Sequence, residues 1–207
     1  AFEGGPLFTI VALAAGTGAR INELLALRWT AIDWEAKTLR IDAALKPTRE
    51  GLQRGTPKTE RSRRTIKLDD GLLGLLQREF ERQEAEQRTL RGLSNDVATL
   101  RKLLPGDALV FPASPLDPTG PRRHSPISKA FAARARKCGL GGLRFHDLRH
   151  THATLLLQAG VAVAAVSARL GHANAAVTLG IYSHQTADAE AAAAAAAGAL
   201  LSGVLER

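Results

Sequence analysis

Six side chains suited to charge stabilisation, proton transfer or nucleophilic attack lie in four separate stretches of this 207-residue chain. The densest stretch is His146-Asp147-Leu148-Arg149-His150-Thr151-His152. On a helix, His146 and Arg149 share a face. An arginine beside a histidine near a helix start can bind phosphate and move a proton. His146 and His150 also have metal-ligand spacing, but Asp147 points elsewhere on a helix. The one cysteine, Cys138, excludes a cysteine-based zinc site and a disulfide within the chain. The plain alternative is a set of solvated or core histidines. The second stretch is Leu170-Gly171-His172-Ala173-Asn174, followed by Tyr182, the only tyrosine. A lone tyrosine commonly fills an amphipathic core position. It becomes a nucleophile where cationic neighbours stabilise its phenolate and a base takes its proton.

The third stretch, Thr17 to Leu24, puts Arg20 at a helix start after a glycine turn. Its plain alternative is a surface arginine paired with Glu23 or Glu3. These glycines do not make a dinucleotide site, because no acidic residue ends a following strand. The fourth stretch, Thr56 to Ile66, carries Lys58 in a basic loop before a strand. Taken alone, Lys58 reads as plain charge on a hairpin.

Charge gives these stretches a setting. Lys and Arg number 28 against 20 Asp and Glu, a net +8. The excess is concentrated. Lys46 to Lys67 holds eight basic residues and two acidic ones, and Pro121 to Arg149 holds eight and one. Two basic zones on an otherwise acidic body read as a surface for a polyanion. Most of the basic residues are arginine, whose planar fork matches phosphate oxygens. Hydrophobic residues make up 45% of the chain, which is ample for a packed core. No apolar run is long enough to span a membrane, and the N-terminus has no basic region typical of a secretory signal.

The elements that must position these residues follow from periodicity and punctuation. Pro6 to Ala15 predicts a buried helix stopped by Gly16-Thr17-Gly18, and Arg20 to Trp29 a second helix. Thr38 to Asp42 and Arg63 to Leu68 alternate as strands around a long polar connection. Asp69-Asp70 caps a helix through Leu76 that extends to Leu90. Residues 92–106 are ambiguous, Ala108 to Phe111 read as a short strand and 112–125 as a Pro-rich loop. Helices are expected from Pro126 to Cys138, His146 to Ala159, Val163 to Leu170 and Asn174 to Tyr182, with glycines ending the first three. An Ala-rich helix spans 187–205.

In the order Arg, Lys, His-x-x-Arg, Gly-His, Tyr, the chain resembles the catalytic domain of the tyrosine recombinases, the phage integrase family. The matching stretches are TGARINELLALRW (17–29), TPKTERSRRTIKL (56–68), LRFHDLRHTHATLLLQAG (143–160) and LGHANAAVTLGIYSH (170–184). The resemblance runs from Pro6 to Glu190. It implies an α+β, mainly α, catalytic domain over residues 1–207 with a small antiparallel sheet and a C-terminal tail helix over 187–207. The N-terminal core-binding domain of relatives is expected to be absent from this chain. The implied function is site-specific DNA recombination through a 3′-phosphotyrosyl intermediate. Arg20 and Arg149 would clamp the scissile phosphate, Lys58 protonate the leaving oxygen, His146 accept the tyrosine proton, His172 hydrogen-bond the phosphate, and Tyr182 attack. Glu23 would orient Arg20, and His150 would support the site. Arg61, Arg63, Arg64, Lys129 and Arg134 are DNA-contact candidates. Neither a metal nor a cofactor is implied. The partner would be double-stranded DNA, met by a homo-oligomer, a tetramer in the synaptic complex, in the cytoplasm at the nucleoid. Type IB topoisomerase-like relaxation and a non-cutting DNA-binding regulator are the alternatives.

Overall fold

A nearly continuous apolar run forms α1 (Phe8–Thr17), with Ile10, Val11, Leu13 and Ala14 buried. The computed structural model describes residues 2, 4, 5, 7–56, 62–90, 92, 104–172 and 174–182. Gly16 and Thr17 belong to α1 rather than stopping it. The stop is Gly18, whose left-handed conformation (φ 65°) places its N–H on the Ala14 carbonyl. Next, α2 is only Ile21–Leu25, shorter than the periodicity suggests. The reason is tertiary. Val110 N donates to the Leu27 carbonyl at 2.9 Å and Trp29 N to the Ala108 carbonyl at 3.1 Å, so this backbone bonds to a distant segment instead of continuing a helix. A 3-10 turn, Trp29–Ala31, follows.

Three antiparallel strands come next in space. They are β1 (Ile32–Asp33), β2 (Thr38–Ile41) and β5 (Arg64–Lys67), ordered β1-β2-β5 with Leu39 opposite Ile66. The polar connection between β2 and β5 is not plain loop. It contains a hairpin of β3 (Ala44–Thr48) and β4 (Gly51–Gly55). Then α3 (Asp70–Leu90) begins where the Asp69 carboxylate accepts the Leu72 N–H at 3.0 Å.

Two further expectations are corrected. Residues 108–111 make only an isolated bridge, Arg28 to Leu109, rather than a strand. The Pro-rich stretch instead forms a hairpin of β6 (Pro112–Ser114) and β7 (Asp117–Pro121), on which Leu109 N donates to the Pro118 carbonyl at 2.8 Å. Four helices complete the described chain: α4 (His124–Lys137), α5 (Asp147–Gln158), α6 (Val163–Leu170) and α7 (Ala175–Tyr182). α4 starts two residues before Pro126, whose missing N–H falls in the first turn and costs nothing there. Residues 93–103 of the ambiguous stretch and the expected tail helix lie outside the described residues.

The core has two parts. The larger joins α1 to α4 with the sheet, with fully buried Leu13, Leu24, Leu39, Ile66, Leu76 and Phe131. The smaller, Ala153, Leu157, Val166 and Leu170, joins α5 to α6. Among the described residues no helix is long and apolar enough to cross a membrane.

Candidate active site

The buried face of α5 repeats at helical spacing as Arg149, His152, Ala153 and Leu157. Arg149 is therefore carried into the interior, 5% exposed. Its Nη1 donates to the Gly18 carbonyl at 2.7 Å and its Nη2 to the Leu170 carbonyl at 2.8 Å. Burial, and then the charge of Arg20, push this guanidinium down to about 9, against the opposing pull of Glu23. It stays cationic at neutral pH. Nearby positive charge disfavours the charged form of a buried cation, and negative charge favours it.

Arg20 caps the start of α2 and is held by Glu23. The Arg20 backbone N–H donates to Glu23 Oε2 at 2.9 Å, and Arg20 Nη1 to Glu23 Oε1 at 2.8 Å. The Arg20 side chain is still 40% exposed, whereas that of Glu23 is 3% exposed. The same carboxylate takes a second arginine, Arg64 of β5, at 2.8 and 3.3 Å. Burial would raise the Glu23 pKa, but the bonds and charges of Arg64 and then Arg20 outweigh it and hold the group below the usual carboxylate range.

His172 follows Gly171, the left-handed cap of α6 (φ 68°). Its Nδ1 lies 2.8 Å from the hydroxyl of fully buried Thr178 on α7. A Thr178 hydroxyl donating to Nδ1 leaves the ring proton on Nε2, a donor for an incoming oxyanion. Burial, then Arg149 and Arg20, lower His172 to about 4, so the ring is neutral at pH 7. His146 stands at the start of α5, its ring edge-to-face with His150 at 5.1 Å between centroids. Burial, then His150, Arg149 and Arg20, lower its pKa as well, leaving a neutral imidazole able to accept a proton.

Arg20, Glu23, His146, Arg149, His150 and His172 thus share one neighbourhood, linked by bonds or by mutual charge. Tyr182 is the last residue of α7, the helix that Asn174 caps by accepting the Ala176 N–H at 3.0 Å. The Tyr182 side chain lies outside the described part, as do Lys58 and Arg61. Arg63 is exposed beside β5, and Lys129 and Arg134 are exposed on α4. Arg64 departs from expectation. Its side chain is 6% exposed and turned inward onto Glu23, not outward.

Three residues of the site went unread in the sequence. Besides Thr178, they are His152 and Arg169. His152 Nδ1 is 2.8 Å from the Ala15 carbonyl, and its Nε2 takes the Arg169 Nε–H at 3.1 Å. A carbonyl only accepts and a guanidinium only donates, so this ring is neutral with its proton on Nδ1. Burial, then Arg169, lowers its pKa accordingly. Arg169 also donates to the Gly16 carbonyl at 3.0 Å, tying α6 to α1. The spacing of His152 from Arg149, three residues on one helix face, was the available signal.

A sequence model of the phage integrase family matches residues 6–189 of this chain. The chain belongs to the phage integrase family. It is 33% identical over 197 residues to a XerC-like tyrosine recombinase of Caldanaerobacter subterraneus subsp. tengcongensis, covering 89% of this chain and 47% of that protein. Against the ICEBs1 integrase of Bacillus subtilis the identity is 28%, over 85% of this chain and 44% of the relative. The chain thus spans just under half the length of these curated relatives. Solved integrase folds match too. The Tn1549 transposon integrase, in complex with transposon right end DNA, superposes with a TM-score of 0.70 at 24% identity, over 90% of this chain and 57% of that one. XerA recombinase gives 0.59 at 21%, over 88% and 54%. The α+β architecture is therefore the catalytic-domain fold of this integrase family.

Proposed function

We propose that this chain is the catalytic part of a site-specific DNA recombinase that cuts and rejoins strands through Tyr182. The observation that carries the reading is the paired cationic fork. Arg149 hangs on two backbone carbonyls and Arg20 on Glu23, with neutral His172 close enough to feel both charges. Fixed donors of this kind stabilise the charge that builds on non-bridging oxygens as phosphorus becomes pentavalent. They need no reorganisation at the moment of reaction.

The chemistry follows by assigning the remaining groups. Tyr182 Oη forms a bond to phosphorus, and the bond from phosphorus to the 5′ oxygen breaks, its electron pair leaving with that oxygen. His146 accepts the tyrosine proton, and Lys58 donates one to the 5′ oxygen. The products are a 3′-phosphotyrosyl link and a free 5′ hydroxyl. Attack by the same 5′ hydroxyl reverses the step, and attack by the 5′ hydroxyl of another strand transfers the 3′ end to it, releasing Tyr182 in either case. One phosphoester replaces another, so rejoining needs no nucleotide. The substrate is double-stranded DNA, approached through the two basic zones, and the working unit is a homo-oligomer, a tetramer on paired sites, at the chromosome in the cytoplasm.

The test is a nicked duplex whose short downstream fragment diffuses away after cleavage, drawn from DNA flanking the encoding locus. The chain gives an adduct that survives detergent and high salt, and Tyr182→Phe gives none. An adduct that persists in Tyr182→Phe overturns the assignment, since the chain has no other tyrosine. Binding that is wholly salt-labile in both indicates the non-cutting regulator.

A further inference from the structure

We infer that Arg64 is a positioning residue of the phosphate clamp, keeping Arg20 aimed and its charge available. The inference rests on the recombinase reading above. Arg20 and Glu23 alone would form a neutral pair, and a guanidinium already neutralised by its own carboxylate is a weak phosphate ligand. Arg64 changes that balance. Its Nη2 donates to Glu23 Oε2 at 2.8 Å and its Nη1 to Glu23 Oε1 at 3.3 Å, so both oxygens are gripped by a planar fork. The carboxylate plane is fixed, and with it the two bonds that Glu23 makes to Arg20. One negative charge now serves two guanidinium groups, leaving a net positive charge for the ligand.

Arg64 reaches the other half of the clamp as well. Its Nε donates to the Arg169 carbonyl at 2.7 Å, one residue before the Leu170 carbonyl that holds Arg149. It also donates from Nη1 to the Ser62 carbonyl at 3.1 Å. One buried side chain thus references α2, the end of α6 and the start of β5 to each other. At 6% exposure it does not itself reach a DNA strand. Misplacement of a reacting group by an ångström is enough to lose about 100-fold in rate, so a distant strut can matter as much as a contact.

The test compares the parent chain with Arg64→Lys, which keeps the charge, and Arg64→Gln, which loses it. Four quantities are read: thermal midpoint, DNA affinity, single-turnover cleavage of the nicked duplex, and affinity for inorganic phosphate followed by the arginine Nε–H resonances of Arg20 and Arg149. Arg64→Lys is expected to cleave about 10-fold more slowly and Arg64→Gln about 100-fold more slowly. DNA affinity should hold, while phosphate binding to the clamp weakens in the same order. Glu23→Gln combined with Arg64→Lys should be no slower than the worse single variant, because both act along one path. Cleavage and phosphate affinity equal to the parent in the Lys variant would overturn the inference. So would losses that track the thermal midpoint alone. A parent chain without a Tyr182-dependent adduct counts against the recombinase reading instead, and phosphate affinity then decides the role of Arg64 on its own.

Discussion

At the scale of single residues the site is governed by burial and by like charge. Arg149 has its counter-charge shared and its carbonyl partners fixed, so under the proposed function its removal would strip a preorganised donor from the transition state. Arg149→Ala is expected to lower single-turnover cleavage by about 10²- to 10³-fold while DNA binding persists. The same environment sets a pH dependence. His172 titrates near 4 in the folded chain, below the ordinary histidine value of 6.5. Protonation is therefore easier in the unfolded chain, which binds more protons throughout that interval. The stability contributed by neutral His172 is fully present above pH 6.5, is lost as pH falls toward 4, and changes no further below. Urea midpoints measured from pH 7.5 to 4 should fall less steeply for His172→Asn than for the parent; equal slopes would contradict the assignment. That Arg20, His146, Arg149 and His172 share a neighbourhood was implied by the family resemblance, whose His-x-x-Arg and Gly-His motifs are compact. Arg169 and Thr178 were not. They reach His152 and His172 through side-chain bonds made only once the helices pack.

At the scale of elements, backbone turns aim the site. Gly18 sits between α1 and α2 at φ 65°, and its carbonyl holds Arg149. A Cβ there would come within 2.5 Å of Leu170 Cδ2 and 2.7 Å of His152 Cδ2. Gly160 has a similar φ of 78° but nothing within 4 Å of a Cβ. Gly18→Ala is therefore expected to cost more than the about 1–2 kcal/mol of left-handed strain and to abolish cleavage. Gly160→Asn should cost under about 1 kcal/mol and cleave normally. Denaturant titration with the adduct assay separates the two; similar losses at both positions would refute the role given to Gly18. Glycine caps were readable because a left-handed residue after an apolar helix has few alternatives. The β3–β4 and β6–β7 hairpins were hidden. Strands such as Gly51–Gly55 lack alternation and β-branched residues, so pairing with a neighbour overrides weak propensity.

At the scale of the molecule, Arg149 joins two packed units. One carbonyl it holds belongs to the larger core's α1–α2 turn, and the other to the end of α6 in the smaller α5–α6 cluster. The two-carbonyl seat of Arg149 therefore draws on both units. The basic zones lie partly on this frame, with exposed Lys129 on α4 and Arg63 beside β5. If Lys129 neutralises one backbone phosphate, Lys129→Gln lowers the slope of log affinity against log salt by about 0.9. An unchanged slope would remove Lys129 from the DNA surface. Charge clustering and the family motifs are what suggest a polyanion surface in the sequence. The inward turn of Arg64 was not legible there, because a run of Arg61, Ser62, Arg63 and Arg64 carries no sign of which side chain faces Glu23.

The proposed function turns on one bond, between Tyr182 and a DNA 3′ phosphate. The most direct measurement isolates the covalent adduct, digests protein and DNA, and locates the remaining nucleotide by mass spectrometry. One nucleotide linked through its 3′ phosphate to the peptide containing Tyr182 is expected. A nucleotide on any other residue, or one linked through its 5′ phosphate, would contradict it.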